Sequence, residues 1–139
     1  TGIESAALVR GVVSLVRPDR VIAVDALSAR EAARLCRAVQ VTDAGIVPGS
    51  GVGNARSALT EETLGVPVIA VGVPTVVDAR TLCADLSGAE IDLPEDTELF
   101  VTPRDIDTRV RDSARLVGYA IDLALHDALT IEDIDMFLA

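Results

Sequence analysis

The chain has 139 residues, half of them apolar but only three aromatic, and a formal net charge of −10. That length fits one domain with an aliphatic core, large enough to bury about two-thirds of its unfolded surface. No uninterrupted apolar run reaches the ~18 residues a membrane helix needs, and no signal-like segment opens the chain. Charge is uneven. Residues 1–80 hold eight acids and eight arginines, residues 81–139 hold fourteen acids and four arginines, and lysine is absent. An acidic half argues against nucleic acid, whose phosphates need clustered cations. It reads first as a solvated face, compatible with a basic or neutral protein partner. Two cysteines, Cys36 and Cys83, each in a helical pattern, fit reduced thiols in a cytoplasmic protein. With no Met at the front, a longer parent protein is expected.

In chain order, Thr1-Gly2-Ile3-Glu4 has the capping-box pattern, and Ala6 to Val16 continues as an apolar-rich helix. Pro18-Asp19 turns the chain into Val21-Ile22-Ala23-Val24-Asp25-Ala26-Leu27, a strand buried on both faces. Ser28 with Glu31 three residues on predicts the next helix, with Ala32, Leu35, Cys36 and Val39 on one face. A short strand over Ala38–Val41 overlaps its end. Residues 42–54 are rich in glycine and cannot be regular structure. Thr60–Gly65 is one helical turn closed by glycine. Val66–Val73 is the next buried strand, and Thr75 with Asp78 predicts a helix to about Leu86. Ser87–Thr97 is an acidic linker. Leu99–Val101 is a short strand, Thr102-Pro103 starts a long helix to His126, and Thr130–Leu138 is a last amphipathic helix. The alternation predicts an α/β fold in three layers, α/β/α, with a mostly parallel central sheet.

Few residues offer chemistry. His126 is the one histidine and ends a helix, where it meets the dipole favourably. A zinc site is not expected, and neither is a Ser-His-Asp triad, since no Gly-x-Ser-x-Gly elbow is present. Gly49-x-Gly51-x-Gly53 lacks the spacing of the dinucleotide fingerprint and has no P-loop lysine, so it serves either turn geometry or ligand contact. Carboxylates remain. Asp25 is expected at the carboxyl end of the central strand, where open α/β sheets place ligands, or else as a cap. Asp43 and Asp78 also stand where strands give way, with a loop hydrogen bond and a helix cap as their simpler roles. Two such carboxylates close together would share a proton, one activating water and the other assisting the leaving group.

Several stretches carry a resemblance. They are Thr1-Gly2-Ile3-Glu4, Pro18-Asp19, Val24-Asp25-Ala26-Leu27, Ala29-Arg30 and the run from Asp43 through Gly45-Ile46, Pro48-Gly49-Ser50-Gly51-Val52-Gly53-Asn54. Thr63 to Ala79 continues it, followed by Leu99–Arg104 and Asp135-Met136-Phe137. Together they closely resemble the spore germination protease family, collinearly and over nearly the whole chain. The resemblance implies the fold of hydrogenase maturation proteases and an atypical aspartic-type endopeptidase. Its substrates would be small acid-soluble spore proteins, degraded in the spore core, which is cytoplasm, at germination.

One of that family's two critical aspartates falls on Asp25. The other belongs to a segment upstream of Thr1, so the 139 residues are expected to be one α/β domain missing an N-terminal, strand-containing segment. That segment or a homo-oligomer would cover the open sheet edge. The resemblance also implies a longer, helical, partly basic stretch where this chain has only Ser87–Thr97. Candidate cleft residues are Asp43, Gly49, Ser50, Gly51, Gly53, Asn54 and Asp78. No cofactor, metal, nucleic acid or membrane is expected. The alternative is a non-catalytic fragment or degenerate relative acting as a binding or assembly domain. A metal-probing maturation protease is a third option, and the lack of a histidine near Asp25 in sequence counts against it.

Overall fold

The computed structural model describes residues 5–53, 56–89, 94 and 98–138, in two compact units, Thr1–Pro103 and Arg104–Ala139. The capping box expected at Thr1–Glu4 and most of the acidic linker lie outside the described residues.

The first unit is built on β1 (Val21–Ala29) and β3 (Val68–Asp78), paired in parallel from Val21↔Val68 to Ala29↔Val77. Both segments are rich in valine, whose branched side chains suit a pleated, covered surface. β2 (Gln40–Thr42) and β4 (Phe100–Val101) also pair with β3, and both run antiparallel to it. The four-stranded sheet is therefore mixed rather than mostly parallel.

The cause lies in residues 28–39. The ladder with β3 extends through Ser28 and Ala29, so the expected helix from Ser28 does not form. Only a 3-10 turn, Ala32–Arg34, follows, its N-cap Glu31 making no side-chain cap. Sheet pairing has overridden a local capping pattern. Without a crossover helix to carry the chain back along the sheet, the next strand must reverse direction. Cys36 is accordingly not helical. It takes φ +54, and its N–H donates to the Pro74 carbonyl at 2.7 Å.

The core sits at the amino ends of the two long strands. Ala6 of α1 (Ser5–Val16) packs with Leu59, Leu64 and Val68, and Val9, Val21, Ala23, Ile46 and Val66 surround them. Leu64 belongs to the single-turn α2 (Glu61–Leu64), capped by Thr60 and closed by left-handed Gly65, as the sequence predicts. The opposite face of α1 is apolar too. Leu8, Val12, Leu15 and Val16 recur at helical spacing and are exposed, Leu15 at 84%. α3 (Ala79–Ser87) begins four residues later than Thr75 would have it, because β3 runs on to Asp78. Cys83 lies in α3, as expected.

The second unit is a helical pair. α4 (Ile106–Leu125) ends at His126, and α5 is Ile131–Leu138. Ile134 and Val117 are its buried residues among those described, Ile134 only 2% exposed. Tyr119 ties the pair together: its hydroxyl accepts from Arg115 at 2.9 Å and donates to the Asp135 carboxylate.

Two predictions follow from local geometry. Gly45 has φ +78, and a Cβ there would lie 2.2 Å from the Leu59 carbonyl oxygen. That oxygen already accepts the Ile46 N–H in the bridge closing loop 46–59. Gly45→Ala should lower stability in urea by at least about 1–3 kcal/mol.

At the start of α5, the hydroxyl and then the backbone N–H of Thr130 donate to Asp133, holding its carboxyl below the usual range. Folding lowers this pKa, so the ionised form contributes fully above the unfolded value, about 3.9, and its contribution is lost as pH falls through the folded one. Helical circular dichroism of the wild type should therefore decline at acid pH more than that of Asp133→Asn, which lacks this titration.

Candidate cleft at Asp25

Asp25 is the fifth of nine residues in β1, so it stands mid-strand rather than at the strand's end. It faces Gly72 across the parallel ladder. Its carboxylate is half-buried, and Oδ1 accepts the Ala26 N–H at 2.9 Å. No described residue bonds Oδ2. No α-helix begins directly after Asp25 for it to cap, and its one backbone bond is to the neighbouring Ala26 N–H within β1.

Asp25 lines a cleft of about 480 Å³ at the carboxyl ends of β1 and β3. Ala26, Leu27 and Ser28 continue its wall from β1, Arg30 follows just after that strand, Thr75 and Val76 come from β3, and Gln40 comes from β2. The glycine loop supplies the rest through Val47, Gly49, Ser50 and Gly51. A carboxylate, a guanidinium, an amide and three hydroxyls thus share a wall with small and apolar side chains. Such a space suits a peptide segment, with one group able to take a proton from water.

The loop reaches the sheet because of its glycines. Ser50–Val52 forms a 3-10 turn between Gly49 and Gly53, both left-handed at φ 75 and 69. A Cβ on Gly51 would lie 2.8 Å from Ser28 Cβ and 3.1 Å from Ser28 N. The absence of a side chain there lets the loop backbone lie directly against β1 and close the cleft.

Of the residues expected from sequence, Asp25, Gly49, Ser50 and Gly51 come together. Gly53 ends the turn but is not on the wall, and Asn54 lies outside the described residues. Asp43 is exposed on the turn after β2 and away from the cleft. Asp78 is the N-cap of α3, its Oδ1 accepting from Arg80 N at 2.8 Å and Thr81 N at 3.3 Å. Neither residue is on the wall of this cleft, and Asp78 caps α3.

Sequence reasoning missed Ser28, Arg30, Gln40 and Thr75. Ser28 was hidden by its resemblance to a helix cap. Thr75 carried a signal, a proline just before it within a valine-rich strand, which marks an irregular ladder. Among the described residues, no three His, Cys, Asp or Glu side chains cluster to hold a metal ion. No described helix is long and apolar enough to cross a membrane.

A family model described as germination protease matches residues 1–88. A germination protease of Clostridium tetani is 38% identical, covering 99% of this chain and 53% of its own length. One of Caldanaerobacter subterraneus is 39% identical, with 99% and 52% covered. One of Bacillus subtilis is 56% identical over 85 residues, covering 61% of this chain and 23% of its own. The chain spans about half the length of the curated relatives it matches over its full extent. The clostridial match occupies 170 positions against a chain of 139, so the relatives carry a stretch that this chain lacks.

The cap role of Asp78 has a measurable consequence. Asp78→Ala should cost about 1 kcal/mol of stability in urea, the usual loss for a removed helix cap. Asp78→Asn, which keeps an accepting oxygen, should cost less.

Proposed function

Because this chain belongs to the germination protease family, we propose that it forms the larger part of an endopeptidase's catalytic domain, one that degrades small acid-soluble spore proteins in the spore cytoplasm. The observation that carries the proposal is Asp25: a half-buried carboxylate on the wall of a peptide-sized cleft, with Oδ1 held by a backbone amide. That bond fixes the orientation of the group and leaves Oδ2 to act as the proton acceptor.

In an aspartic-type hydrolysis two carboxylates divide the work. Asp25, ionised, takes a proton from the water that attacks the peptide carbonyl. A second carboxylic acid, supplied by an N-terminal segment of the complete protein, protonates the departing amine. The glycine loop, lying against β1 at Ser28, closes the side of the cleft. No cofactor or metal enters this scheme, and neither nucleic acid nor membrane is a partner in it.

The same upstream segment completes the sheet. β1 pairs only with β3 among the described residues, so its other edge is open. Val24 of β1 is 57% exposed, and α1 presents the uncovered stripe of Leu8, Val12, Leu15 and Val16. An unpaired apolar strand edge is a liability that native proteins cover. A strand from the N-terminal segment, adding to β1, would cover it, complete the three-layer α/β/α fold and bring the second carboxylate toward Asp25. A homo-oligomer would cover what remains.

The test is Asp25→Asn in the complete protein, an isosteric change that removes the base. Cleavage of a purified small acid-soluble spore protein should fall by at least about 100-fold, the low end of what a positioned general base contributes. Thermal unfolding should barely move, because the amide oxygen can still accept the Ala26 N–H. Undiminished turnover would remove Asp25 as the base, whereas no cleavage by the complete unsubstituted protein would support the reading of this chain as a non-catalytic binding or assembly domain.

A further inference from the structure

The parallel ladder between β1 and β3 slips once, at the cleft. Leu27 faces Pro74 and Ser28 faces Val76, which leaves Thr75 with no partner on β1. Proline has no N–H to give to a ladder and tolerates such a site. Pro74 is fully buried, and its carbonyl accepts from Cys36 N. The Thr75 carbonyl accepts from Thr102 Oγ1 at 2.8 Å. Two successive carbonyls of the bulge are thus held by groups outside the β1 ladder, so the irregularity is anchored on both sides.

A bulge re-aims the residue it frees. Thr75 is half-buried and lines the cleft together with Asp25. No described residue hydrogen-bonds its hydroxyl. A hydroxyl can donate one hydrogen bond and rotates to suit its acceptor. The other hydroxyls of the wall are placed differently: Ser28 lies in the paired ladder, and Ser50 is exposed on the loop.

We propose that the Thr75 hydroxyl donates a hydrogen bond to the carbonyl oxygen of the substrate peptide bond that is cleaved. Its anchored backbone fixes the donor before substrate arrives, and the bond strengthens as that oxygen gains charge during attack by water. The assignment rests on the protease reading above and gives Thr75 a substrate contact that Asp25, an acceptor, cannot make.

The experiment measures kcat and KM of the complete protein on a purified small acid-soluble spore protein, for Thr75→Val, Thr75→Ser and Thr75→Ala. Val keeps the branched shape and removes the hydroxyl. It should lower kcat roughly 10–100-fold with KM little changed, and Ala should lose as much. Ser, which keeps the hydroxyl, should recover most of the activity. A structural role for the Thr75 methyl predicts the reverse, with Val active and Ser impaired. Wild-type kcat in Thr75→Val, an effect on KM alone, or Ser as poor as Ala would each overturn the assignment. An active Thr75→Val beside an inactive Asp25→Asn would remove only the Thr75 role. No cleavage by the unsubstituted protein would remove the protease reading as well.

Discussion

The parallel pairing of β1 with β3 is the interaction on which the rest of the first unit depends. It aligns the two valine-rich segments over the whole length of β1, from Val21 to Ala29. At the amino ends those strands turn Val68, Val21 and Ala23 into the aliphatic core with Ala6, Leu59 and Leu64. At the carboxyl ends they hold the polar cleft. One ladder therefore carries the aliphatic cluster at one end and the polar cleft at the other, where Ala29, Pro74 and Val77 are buried as well. The division follows from position along the strands: the core fixes the register, and the register places Asp25 opposite Gly72 and frees Thr75.

The same ladder explains what the sequence did and did not disclose. Strands at 21–27 and 66–73 were legible because runs of β-branched residues have few other uses. The turn at Thr60–Gly65 was legible because its cap and its closing glycine are both local signals. Asp25 stood out as a carboxylate inside an apolar run, and the glycine loop stood out by composition. The extents of the strands were not legible. Ser28-Ala29-Arg30-Glu31 satisfies a helix-start pattern worth about 1 kcal/mol. Extending the ladder by two residues, and burying Ala29, outweighs it. At the other strand, Pro74-Thr75 looked like a terminus and is a bulge, since β3 resumes at Val76 once Thr75 is skipped. Local chemistry marks where a strand could stop, whereas the partner strand decides where it does.

The second unit shows a different balance. Its polar links are Arg109 with Asp105 at 2.8 Å, Arg115 with Asp135 at 3.5 Å, and the Tyr119 hydroxyl between Arg115 and Asp135. All lie in solvent, where ion pairs contribute little. Arg109 nevertheless holds the Asp105 carboxyl below its usual range by a direct hydrogen bond. Ile134 and Val117 are the side chains removed from water here, and burying such groups outweighs the surface pairs. The links from Arg115 and Tyr119 to Asp135 then fix which faces of α4 and α5 meet, in a stretch whose acidity would otherwise push the helices apart.

One position in the fold, between α3 and β4, can take a stretch of variable length. The family model's match ends at residue 88, just after α3. There the chain leaves the sheet and returns to it at one place. Asp78 pairs with Phe100, and Ala79 N donates to the Leu99 carbonyl at 2.9 Å. Both ends of the excursion are thereby tied side by side, whatever lies between. Closing a loop of about 40 residues instead of about a dozen costs only about 1 kcal/mol more, since the penalty grows with the logarithm of length. Neither β3 nor the cleft wall depends on that length. A segment inserted or lost between α3 and β4 would thus leave Asp25, Thr75 and the glycine loop of this chain in place.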